Sequence, residues 1–94
     1  MSAEELTLHI ASNLDRICTW ALAGRENRVN QFLENTQEYI DLLEIAPKSS
    51  QFEKTFVVFK QRFYRMKNNV ILNEEWAEEA LTWANILTHR AKLA

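Results

Sequence analysis

Apolar positions recur at steps of three and four along nearly the whole chain. The clearest line is Phe52, Phe56, Phe59, Phe63, Met66 and Val70. Such spacing stacks six side chains on one face of an α-helix, where a strand would divide them between two faces. Leu6, Ile10, Leu14, Ile17 and Ala21 form a second line, and Val29, Phe32, Leu33, Thr36, Ile40 and Leu43 a third. Trp76, Ala80, Trp83 and Leu87 make a fourth, with Ala77, Leu81, Ala84 and Ala91 beside it. Polar residues occupy the remaining faces, so the pattern predicts four amphipathic helices.

Punctuation between the stripes supports that division. Ser2 and Glu5 have the spacing of a capping box that opens the first helix, and Gly24 suits the left-handed residue that stops it. Asn27 is the expected cap of a second helix running to about Ile45, before the break at Ala46-Pro47-Lys48-Ser49. Ser50 and Glu53 repeat the capping-box spacing, and the third helix is expected to last to about Asn69. Asn73 is expected to cap the fourth, with Glu74 and Glu75 matching the positive end of its dipole and Arg90 and Lys92 near its far end. Val70-Ile71-Leu72 is an apolar connection predicted to fold back, stapling Leu72 against the fourth helix. Short connections of roughly four to six residues place consecutive helices antiparallel. The expected fold is all-α: one domain over residues 1–94, an up-down-up-down four-helix bundle.

Composition narrows the class. A single Gly and a single Pro among 94 residues leave little material for the tight turns of a sheet. The formal charge of −2 is unevenly spread: residues 51–70 hold five basic side chains and one acid, leaving −6 elsewhere. Cys18 is the only cysteine, which excludes an intramolecular disulfide and fits a reducing compartment. With no apolar run near about 18 residues and no secretory signal pattern, the sequence reads as a cytoplasmic protein outside the membrane.

Motifs for chemistry are mostly missing. Cys18 lies on an apolar face with no histidine near it in sequence, which reads as a structural thiol. Glu5 and His9 share a helix face, and an antiparallel bundle brings His89 toward the same end, yet two ordinary surface histidines and a capping glutamate explain them better than a metal site. Glu34, Glu38 and Asp41 lie on one face with no apolar residue interleaved, the pattern of solvated acids rather than an acid–base pair. One glycine cannot build a phosphate-cradling loop. The chain therefore reads as a non-enzyme without cofactor or metal.

What remains is a surface. Val57, Lys60, Tyr64 and Lys67 follow one flank of the third helix outside the phenylalanine line, and Val58, Arg62 and Arg65 follow the other. Tyrosine among aliphatic and basic residues is a composition that favours protein interfaces. Trp20 and Ile86 are expected to widen an aromatic shoulder elsewhere. The sequence thus predicts a small interaction or regulatory module that binds an acidic or apolar protein surface or forms a homodimer. The alternative is a nucleic-acid-associated regulator using the same basic helix. A third reading encloses a small apolar ligand between the aromatic stripes.

Overall fold

The computed structural model describes all residues, Met1–Ala94. Helix α1 covers Ala3–Leu22, α2 Glu26–Ile45, α3 Ser50–Asn68 and α4 Glu74–Arg90, followed by a 3-10 turn over Ala91–Leu93. Paired residues on neighbouring helices show the packing direction. Between α1 and α2, His9 stacks on Tyr39, Asn13 donates to Asn35, and Arg16 covers Phe32. Numbering rises along one helix by the steps with which it falls along the other. The same reversal joins α2 to α3 through Glu44–Lys60 and Gln37–Lys67. It joins α3 to α4 through Phe59–Trp83 and Met66–Trp76. The four helices form an antiparallel bundle whose long dimension of 36 Å matches their length.

Local chemistry fixes the helix ends. Ser2 and Glu5 complete their capping box, with the Ser2 amide donating to Glu5 Oε1 at 2.9 Å and the Glu5 amide to Ser2 Oγ at 3.1 Å. Those hydrogen bonds to Ser2 hold the Glu5 carboxyl below its ordinary pKa. Gly24, at φ 69°, ends α1: its amide reaches Ala21 O and that of Arg25 reaches Trp20 O, a double closure that needs a left-handed residue. This tight reversal delivers the chain directly into α2, so the helix starts at Glu26 with Arg25 as its N-cap, and Asn27 is already inside it. A second correction concerns α3. Ser49, rather than Ser50, accepts from the Phe52 amide at 3.0 Å. Glu53 turns instead to Lys48, 3.8 Å away. The Ser49 hydroxyl also donates to Leu93 O, tying the start of α3 to the final 3-10 turn. Asn73 caps α4 as expected, accepting from the Trp76 amide at 2.9 Å. Leu72 packs against the core just before it, while Ile71 is exposed.

The predicted stripes form the core. Phe52, Phe56, Phe59 and Phe63 are sealed, as are Ile10, Leu14, Ile17, Val29, Leu43 and Leu87. Leu81 departs from the expectation and remains partly exposed, outside the buried line of Ala77, Ala80 and Ala84. The bundle is uneven. Helix α1 lies closest to α4 and α2, whereas the backbone of α3 stands further off. Side-chain size explains this difference. Buried alanines on α1 (Ala3, Ala11, Ala21) and α4 (Ala77, Ala80, Ala84) allow close approach, while four stacked phenylalanines hold α3 away. Buried polar groups are satisfied: Thr7 and Thr36 donate to the carbonyls of Ala3 and Phe32, and Asn13 Nδ2 reaches Asn35 Oδ1 at 2.9 Å. No helix is long and apolar enough to cross a membrane.

Candidate interaction surface

The six residues singled out on α3 divide between two faces of the bundle. Lys60, Tyr64 and Lys67 turn toward α2. Lys60 Nζ pairs with Glu44 Oε1 at 2.5 Å and lies 4.8 Å from the centre of the Phe56 ring. Lys67 Nζ is 3.5 Å from Gln37 Oε1, a long contact. Both lysines are half-buried; Lys60 is ion-paired within the molecule, and Lys67 has no carboxylate within ion-pairing distance. Tyr64 is 71 % exposed and borders a hollow of about 200 Å3 shared with Gln37, Ile40, Asp41, Glu44, Lys60 and Phe63. Val57, two turns before Tyr64 on the same stripe, is also exposed.

Helix α2 completes this face with residues the sequence pattern had assigned only to solvent. Glu34, Glu38 and Asp41 follow one line, and Ile45 continues it at the next turn. Ile45 is 82 % exposed, the most open large apolar side chain in the molecule. No apolar residue is interleaved with the acids, as expected, but one follows them at the end of the line. An isoleucine on the polar line of an amphipathic helix was the signal available in the sequence. In sequence Ile45 marks only the approximate end of the helix, with no face assigned to it.

Arg62 and Arg65 face the other way, toward α4. They line a hollow of about 240 Å3 with Met66, Asn69, Ile71, Asn73, Glu75, Trp76 and Glu79. Neither guanidinium has a carboxylate within ion-pairing distance, although two glutamates border the same hollow. The Trp76 indole closes its floor by donating to Met66 O at 3.3 Å. Val58 is exposed on this flank.

Trp20 and Ile86 do not share a shoulder. Trp20 lies between Arg25 and Arg28, 5.7 and 5.5 Å from its ring centre. It ends α1 close to the start of α4, where Glu78 acts on Cys18. Ile86 is two turns further along α4, about 12 Å away along the helix axis.

One cation has a role the sequence did not reveal. Lys48, in the connection between α2 and α3, has a side chain only 5 % exposed. Its ammonium donates to the carbonyls of Leu43, Glu44 and Ala46 at 2.6, 3.0 and 2.9 Å and lies 5.3 Å from the Phe56 ring centre. It closes the negative end of α2. Lys48 and Lys60 both reach the same phenylalanine ring, so a buried aromatic anchors the two cations nearest the α2–α3 face.

Reactive groups are not gathered anywhere. Cys18 is buried, and desolvation first, then Asp15 and Glu78, push its pKa above the ordinary thiol value. His9 stacks on Tyr39 at 5.1 Å and His89 is exposed, and no three His, Cys, Asp or Glu side chains are grouped to hold a metal ion. No family model, curated protein or solved structure matches the chain.

Proposed function

We propose that this chain is a small, non-catalytic interaction module that acts by binding another protein through the α2–α3 face. The observation that carries the reading is the placement of Tyr64. A phenol 71 % exposed, in line with Val57 and beside Lys60 and Lys67, offers an anchor with an apolar body and a polar tip. The two lysines flank it, and their ties to Glu44 and Gln37 hold them in place. Side chains already held in place lose less conformational entropy when a partner binds them. Regulation by occupancy of this face, inside a reducing cell compartment, completes the reading.

The test is capture from native extract by the wild-type chain and by Lys60→Glu/Tyr64→Ala/Lys67→Glu, with helicity followed by circular dichroism. The expected result is loss of the captured protein with helicity retained. Recovery of the same protein by the triple variant overturns the assignment of this face.

A second reading rests on the opposite flank. Arg62 and Arg65 lack carboxylate partners, and Lys54 is exposed on the same helix, so nucleic-acid phosphates are a chemically reasonable ligand there. Phosphate contacts lose affinity log-linearly with salt. An Arg62→Ala/Arg65→Ala variant with unchanged binding to single- and double-stranded oligonucleotides at 50 mM salt removes this reading.

A further inference from the structure

We infer that the occupant of the α2–α3 face is a second copy of this chain, related by a two-fold axis parallel to the helices, so that α2 of each protomer lies on α3 of the other. The inference rests on the interaction-module reading and supplies its partner.

Sorted charge argues for it first. The outer side of α2 carries exposed Glu34, Glu38 and Asp41, with Glu44 at the seam, whereas α3 carries Lys67 and Tyr64 beside Lys60, whose charge Glu44 already meets. A face acidic on one half and basic on the other complements itself under only one of the two-folds available in the contact plane. Rotation about an axis parallel to the helices puts acid over base twice. Rotation about the perpendicular axis puts acid over acid and base over base, and like charges in contact reject that arrangement.

Matching heights supply the second argument. The Glu44–Lys60 and Gln37–Lys67 contacts fix the level of α2 against α3 within one molecule. A parallel two-fold preserves those levels between molecules. Ile45 then arrives one residue beyond the height of Lys60, between it and Val57 of the partner subunit. Glu38 and Asp41 arrive at the level of Tyr64 and Lys67 of the partner subunit. The two most exposed large apolar side chains, Ile45 at 82 % and Tyr64 at 71 %, are both covered by this one operation.

Size is adequate as well. One broad side of a molecule measuring 36 × 20 × 19 Å is on the order of 700 Å2 before side chains are added. Stable interfaces use about 800 Å2 per partner. The contact closes on itself, so it yields a dimer rather than a chain of subunits.

Sedimentation equilibrium on the full chain over micromolar to submillimolar concentrations tests this. The expected mass is twice the 11.1 kDa of the chain, with Ile45→Asp and Tyr64→Ala each weakening association at least about tenfold. Both residues are exposed, so neither substitution opens the core. A charge exchange then tests the axis. Glu38→Lys/Asp41→Lys and Lys60→Glu/Lys67→Glu are each expected to be monomeric alone and to form a mixed dimer when combined, because both contacts of the mixed pair are again acid on base. A wild-type monomer throughout the range overturns the inference, as does a dimer indifferent to Ile45→Asp and Tyr64→Ala. Separate loss by the two charge variants without recovery on mixing overturns it too. If the wild type is monomeric yet the triple α3 variant still loses a captured protein, only the identity of the occupant falls and the interaction-module reading stands.

Discussion

Single residues divide into those whose roles follow from pattern and those whose roles depend on where the chain returns. Phe52, Phe56, Phe59 and Phe63 belong to the first group, since periodicity alone put them inside. Lys48 belongs to the second. In sequence it is one residue of a break around Pro47, and its burial follows only once α2 ends over the Phe56 ring. An ammonium that is almost wholly buried and satisfied by three carbonyls is costly to remove, because those carbonyls lose a charged donor. Lys48→Met keeps most of the packing volume and deletes the charge. It is expected to lower unfolding free energy by about 1.5–3 kcal/mol in urea titrations. Lys54→Met, at an exposed position of the next helix, is the control and should change stability by less than about 0.5 kcal/mol.

At the scale of elements, the four helices were legible because each buries one stripe, and a stripe is a property of spacing. Two starts moved by a residue or so for a common reason. A side chain caps a helix only if the preceding backbone leads into it in the extended region, and sequence does not show how the chain arrives. Ser49 has that geometry, with φ −69° and ψ 153°, so it takes the place expected for Ser50. The tight Gly24 closure leaves no room for Asn27 to lie outside α2. Distances between helices were not legible either, since they depend on which small residues meet. Alanines on α1 and α4 allow those helices to approach, so enlarging one of them tests that account. Ala80, fully buried on α4, has no space to spare. Ala80→Leu is expected to cost about 1–3 kcal/mol by overpacking. Val58→Leu, on the exposed flank of α3, adds a methylene without measurable cost, which chemical denaturation of both variants can check.

For the whole molecule, the uneven charge in the sequence admitted two explanations: helices of opposite sign side by side, or a face prepared for a visitor. The bundle supports the first directly, since Lys60 pairs with Glu44 across α2 and α3. It keeps the second open at the same place, because the outer acids of α2 extend beyond that pair and have no cation within ion-pairing distance. Salt separates the two contributions. Only two ion pairs form inside the chain, and both involve partly exposed carboxylates, which are worth little each. Twenty-two buried apolar residues in one cluster hold the fold, and their burial is insensitive to screening. Raising NaCl from 50 mM to 0.5 M should therefore shift unfolding free energy by less than about 1 kcal/mol. Association through an acid-on-base face should weaken over the same interval, because the Debye length contracts to a few ångströms. Unfolding and sedimentation measured along one salt series should thus diverge: a flat stability curve beside a falling association constant. Parallel loss of both would mean that the sorted charges hold the bundle itself together and leave nothing over for a partner.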